Sequence, residues 1–217
     1  MIMIDVGDFF LVEPSEIYAE QIREYRQDFL DTNCSVDGCG PLRKCEDPFT
    51  YISECEKCTA QDTLPEGLVI ATQFFYVRKA DNRLVGMIQV RHYFNDYLSK
   101  FGGHIGYSIR PSERRKGYAT LMNNDVRRIV AMIKPFSDAK NLKIATALYQ
   151  LTIHSEDAYT TVAQISDKSG VSPEKVQDCL ESDLSQFILE KEGPESQFRF
   201  EGMYMNILPI ISLFDFK

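Results

Sequence analysis

Residues 103–121 constrain this chain more than any other stretch. The run Gly-His-Ile-Gly-Tyr-Ser-Ile-Arg-Pro-Ser-Glu-Arg-Arg-Lys-Gly-Tyr-Ala-Thr-Leu reads as a strand, a tight loop and a helix start. His104–Ile109 is apolar and aromatic enough for a buried strand, and Pro111 with Ser112 stops it. Arg114, Arg115, Lys116 and Gly117 then form a basic loop. From Gly117 onward, Ala119, Met122, Val126, Ile129 and Ile133 recur at helical spacing. A helix start leaves its first backbone N–H groups unpaired and partially positive, and glycine lets an anion come close. Two readings follow. One is a phosphate or diphosphate site, and the other is a solvated basic turn. The loop has neither the lysine-serine pair of a P-loop nor the glycine triplet of a dinucleotide fold.

The hexapeptide Arg114-Arg115-Lys116-Gly117-Tyr118-Ala119 fits the pattern Gln/Arg-x-x-Gly-x-Gly/Ala. With the preceding Gly-His-Ile-Gly-Tyr-Ser-Ile-Arg-Pro it resembles the acetyl-CoA-binding motif of the GNAT acetyltransferases. The resemblance covers roughly the first 134 residues. It implies an α+β fold, a mixed and mostly antiparallel sheet flanked by helices. It also implies N-acetyl transfer from acetyl-CoA to an amine by direct attack in a ternary complex. The cofactor-binding residues it implies are Ser108, Ile109, Arg110, Arg114, Arg115, Lys116, Gly117, Tyr118, Ala119 and Thr120. Backbone N–H groups of the loop would hold the diphosphate, and the strand near Ser108–Arg110 would pair with the pantetheine amides. His104 is a candidate base, with a strand-packed histidine as the structural alternative, and His92 is a weaker candidate. Tyr149 and Tyr159 are the tyrosines from which a general acid would be guessed.

The rest of the first part fits this frame. Phe9–Val12 reads as a strand. Pro14 and Ser15 open a helix from about Glu16 to Leu30, with Ile17, Ile22, Tyr25 and Phe29 on one face. Leu68–Arg78 and Leu84–Tyr93 read as a hairpin turned by Asp81-Asn82-Arg83. Between helix and hairpin, residues 31–62 hold five of the six cysteines. A zinc site would need Cys55-x-x-Cys58 plus two of Cys34, Cys39 and Cys45. The spacing is poor, so reduced thiols in an insertion over the acceptor site are expected, with no metal.

Beyond Ile133 the pattern changes. Helices over Asn141–Ile153, Val162–Lys168 and Glu174–Leu184, then strands at Phe187–Lys191 and Phe198–Phe200, resemble a winged helix-turn-helix domain. Residues 135–217 would be that region, after an acetyltransferase-like 1–134. The alternative makes 135–217 the completion of the first domain, with Ala147–Ile153 as its fifth strand and Ser155–Ser169 as its fourth helix. Residues 135–217 carry 7 Lys and Arg against 13 acids, a net charge of −6. Phosphate backbones repel such a face, so nucleic acid is not expected as a partner. A small-molecule or peptide amine is the expected acceptor, and a homodimer is compatible with the reading. A competing role is non-catalytic CoA binding, with the C-terminal region contacting a partner.

The 217-residue chain is 44% hydrophobic, enough for a packed core, and its formal charge is −8. No run of about 18 apolar residues predicts a membrane span. The N-terminal Met-Ile-Met-Ile-Asp-Val-Gly-Asp lacks the basic start of a signal peptide. A cytoplasmic protein with free thiols is the expectation.

Overall fold

The computed structural model describes residues 2–153, 155 and 158–200. It divides into two units, Met1–Ile129 and Val130–Lys217. Among the described residues, no helix is long and apolar enough to cross a membrane.

The first unit is a five-stranded antiparallel sheet in the order β1 (Met3–Asp5), β2 (Phe9–Val12), β3 (Ala71–Arg78), β4 (Arg83–Arg91) and β5 (Ile105–Ile109). The hairpin β3–β4 forms where the β-branched and aromatic run predicts it. Asn82 takes the left-handed turn conformation at φ 51°. Alternation along the strands sends side chains to two different layers. Phe75 and Met87 go to one face, where α1 (Ala19–Asp31) and α2 (Pro48–Lys57) cover them with Tyr25, Phe29 and Tyr51. All five of these side chains are 0% exposed. At about 2–3 kcal/mol for each fully buried large side chain, this layer is a principal source of stability. Tyr76 goes to the other face, under α3 (Tyr118–Ile133). There it stacks on Phe9 with ring centroids 4.2 Å apart, and its hydroxyl donates to Asp125 at 2.8 Å. Met122, Val126, Ile129 and Ile133 of α3 are all buried, as their spacing predicts. The mixed α+β class with an antiparallel sheet flanked by helices is therefore as expected.

A local cap explains the start of α2. Asp47 accepts the N–H of Thr50 and Pro48 occupies the first position of α2. At α1 the expected cap fails. Ser15 makes no capping bond, the chain passes through a 3-10 turn at Glu16–Tyr18, and the α-helix begins at Ala19.

The cysteine-rich segment packs as core. Cys39, Cys45 and Cys55 belong to the apolar cluster under α1 and α2. All six cysteines are free, and no group of metal-ligating side chains that could hold an ion occurs among the described residues. Two glycines let the segment cross the sheet face. A Cβ on Gly38 would stand 2.3 Å from the backbone nitrogen of Tyr107, and one on Gly40 would stand 2.8 Å from the Gln73 amide oxygen. Both glycines have positive φ, 77° and 57°.

The second unit contains α4 (Ala139–Thr152), α5 (Val162–Ser169) and α6 (Pro173–Glu181). Its sheet is β6 (Thr160–Thr161), β8 (Gln197–Phe200) and β7 (Ile188–Lys191), antiparallel in that spatial order. Asp138 caps α4 by accepting two backbone N–H groups. Thr161 and Gln164 form a reciprocal capping box on α5, and Gly170 ends that helix in the left-handed region. Ala147–Thr152 are helical, so they do not supply a fifth strand as the alternative reading required.

Candidate functional site

The strand-loop-helix segment builds one side of an open cleft of about 470 Å³. Its floor is Tyr107, Ser108 and Ile109 of β5, and its mouth is Arg114, Arg115, Gly117, Tyr118 and Ala119. Phe29, Ser35 and Asp37 form the facing wall.

The loop is held in an uncommon conformation. Arg115 and Gly117 both have positive φ, 63° and 81°. For arginine that conformation is costly and persists only where neighbours enforce it, which is common at functional sites. Leu121 N–H makes the first helical bond of α3, to the Gly117 carbonyl at 3.1 Å. The N–H groups just before it therefore lack an acceptor within the helix. Nothing lies within 4 Å of a Cβ built on Gly117, so the helix mouth is open. Arg115 is exposed and makes no ion pair among the described residues. An anion of diphosphate size meets unpaired donors, a helix dipole and a free guanidinium there.

The other cations are tied down. Glu113 is only 8% exposed and receives Arg78 at 2.9 Å, Lys116 at 2.8 Å and Arg83 at 3.4 Å. Burial raises its carboxyl, but bonds from Arg78 and Lys116 outweigh this and hold it below the ordinary range. Arg114 donates from Nε to the Ile109 carbonyl at 3.1 Å and from a terminal nitrogen to Cys34 Sγ at 3.2 Å. Its guanidinium lies over the Phe29 ring. Bonds with Thr32 and then Arg114 lower the Cys34 thiol below its ordinary value. Cys39, by contrast, is pushed up to about 12 by burial.

Several expected site residues serve the fold instead. Arg110 is 1% exposed, ion-paired to Asp28 at 3.3 Å and Glu24 at 3.4 Å, and does not line the cleft. Its N–H donates to Val85 of β4. By antiparallel alternation, the backbone groups of Ser108 also face β4, and those of Tyr107 and Ile109 face the outer edge. Ser108 Oγ does border the cleft floor, bonded to Tyr25 at 3.0 Å and Cys39 at 2.7 Å. Lys116 is spent on Glu113, and Thr120 lies outside the lining. His104 also lies outside it, donating from Nδ1 to the Arg91 carbonyl at 2.9 Å and stacking on Phe94. His92 bonds Thr72 at 2.9 Å. Among the described residues no strand pairs with the outer edge of β5.

Sequence reasoning missed Phe29, Ser35, Asp37, Tyr107 and Glu113. Glu113 carried a signal, a lone acid beside three cations, and Tyr107 lies within the strand already singled out. Phe29 of α1 and Ser35 and Asp37 of the insertion reach the cleft through tertiary packing.

No curated protein and no solved structure matches this chain. Residues 41–131, from the insertion through α3, match the family model described as "Acetyltransferase (GNAT) family", which supports acetyl-CoA-dependent acetyltransferase activity in general.

Proposed function

We propose that the first unit is an N-acetyltransferase that moves the acetyl group of acetyl-CoA directly to an amine. The open helix mouth at Gly117, continuous with the cleft floor of β5, carries this reading. Loop N–H groups and Arg115 hold the diphosphate. Ile109 N–H, on the outer edge, is the backbone donor available to the thioester end. The amine nitrogen attacks the acetyl carbon, a C–N bond forms, the C–S bond breaks, and the thiolate takes a proton. Asp37 takes the place expected of His104. It is an exposed carboxylate in the cleft, placed to receive the proton the ammonium must lose. The free thiols fit a cytoplasmic setting.

The second unit, in this proposal, is a winged-helix-like module for protein contact. Its three helices and the strand order β6-β8-β7 support that architecture. The acids Glu174, Asp178 and Glu181 on α6 disfavour DNA.

The unpaired edge of β5 among the described residues, with Gly38 packed on Tyr107, favours one second reading, CoA binding without turnover. Calorimetry with acetyl-CoA, followed by thiol release with a panel of amines, separates the two. Transfer that is lost in Asp37→Asn with acetyl-CoA affinity unchanged supports catalysis. Binding with no transfer to any amine supports the second reading, and no binding overturns both.

A further inference from the structure

The first unit has another cavity, about 300 Å³, bordered by the end of α2, the chain into β3, the end of β4 and the turn Leu98–Gly102. It shares no lining residue with the cleft at Gly117. Among the described residues Arg91 is its one charged lining residue, and no Asp or Glu answers it there. Arg91 is partly buried and makes no ion pair among the described residues. Burial pulls its guanidinium below the ordinary value. A cation withdrawn from water without a counter-charge is costly unless an anion reaches it.

The second observation is how the guanidinium is held. Its Nη1 donates to the carbonyls of Gly102 at 2.9 Å and Gly103 at 3.0 Å, which fixes the plane of the group. Nε and Nη2 donate to nothing among the described residues, and neither is shut away from solvent. Nη2 lies against Gly106 of β5. A Cβ on Gly106 would stand 2.8 Å from Nη2 and 3.3 Å from the α-carbon of Gly38. The bare glycine thus lets the guanidinium reach from the cavity to the residue beside Asp37. Gln89 and Tyr97, which also line the cavity, add polar groups without partners among the described residues. Leu68, Val69 and Leu98 supply apolar surface. Free N–H donors on a fixed planar cation suit a carboxylate, and the apolar side suits an aliphatic body attached to it.

We infer that this cavity binds the carboxylate of an amino acid on Arg91, and that such an amino acid is the acceptor amine of the first unit. The acceptor role rests on the transfer proposed above, and the binding does not. The test is calorimetric titration of the full chain with leucine, without acetyl-CoA, at low salt. Binding at about 1 mM or tighter is expected. 3-Methylbutylamine, the same molecule without its carboxylate, should bind at least about tenfold more weakly. Arg91→Gln should weaken leucine binding about 10- to 150-fold, the worth of a charge-assisted hydrogen bond. Leu68→Glu keeps the bonds to Gly102 and Gly103 and changes a side chain that is 54% exposed. It sets a carboxylate in the cavity and should also weaken leucine binding at least about tenfold. With acetyl-CoA present, thiol release should be faster for leucine than for 3-methylbutylamine. The site is overturned if leucine does not bind, if 3-methylbutylamine or inorganic phosphate binds equally well, or if both variants bind like the parent. Equal thiol release with the two amines overturns the acceptor role. Leucine binding with no amine acetylated sinks the transfer reading and the acceptor role with it, and leaves the carboxylate site standing.

Discussion

Gly117→Asp tests the anion site most directly. The φ of 81° costs an L-residue about 1–2 kcal/mol, since only glycine adopts the left-handed region freely. No atom lies within 4 Å of the new Cβ, so overlap adds nothing. A chain of this size should lose about 2–8 °C in Tm and stay folded. The ligand penalty is larger. A carboxylate about 4 Å from a phosphate costs about 4 kcal/mol at an effective dielectric of 20. Discounted for solvent at an open mouth, about 2–3 kcal/mol remains, a 30- to 150-fold loss of acetyl-CoA affinity. Gly117→Ala separates the effects, because it carries the same backbone strain without the charge. It should lose less than about tenfold by the same arithmetic. Calorimetry supplies the affinities and thermal unfolding the stabilities. An aspartate variant that stays folded and binds within about threefold of the parent would refute the electrostatic account. So would an alanine variant as impaired as the aspartate one.

Two further outcomes follow from the same loop. Glu113→Gln leaves Arg78 with Asp81 alone and removes the ion-pair partner of Arg83 and Lys116, and should destabilise by about 1–3 kcal/mol in urea titration. Because its carboxyl is held below the ordinary 4.5, Glu113 stabilises the fold above that pH and loses this contribution as pH falls through its folded value. The Glu113→Gln variant should therefore show a flatter acid limb in stability measured from pH 6 to pH 3. Cys34 should be alkylated by iodoacetamide before any other thiol at pH 7.5, as read by peptide mass spectrometry. It is the one cysteine lowered from its ordinary value, whereas burial raises Cys39, Cys45, Cys55, Cys58 and Cys179.

What could be read in advance was local. The β3–β4 hairpin announced itself by its β-branched and aromatic runs and an Asp-Asn turn, and α3 by the spacing of Met122, Val126, Ile129 and Ile133. The loop glycine was legible because helix starts and left-handed residues obey short-range rules. What stayed hidden depends on residues far apart in the chain. Arg110 reads as the end of the strand that would meet the cofactor, yet Glu24 and Asp28, more than 80 positions upstream, draw it beneath α1. His104 looks poised in a strand, but the Arg91 carbonyl and the Phe94 ring turn it aside. Asp37 enters the cleft only because Gly38 can press against Tyr107, and no spacing rule encodes that contact.

That contact also bears on the margin of the sheet at β5. A sheet that ends in an unpaired strand is a template onto which a neighbouring molecule can zip. Here the backbone at Gly38 lies over the middle of that margin, and Arg114 takes the Ile109 carbonyl farther along. An approaching strand would find no unbroken row of partners along that margin.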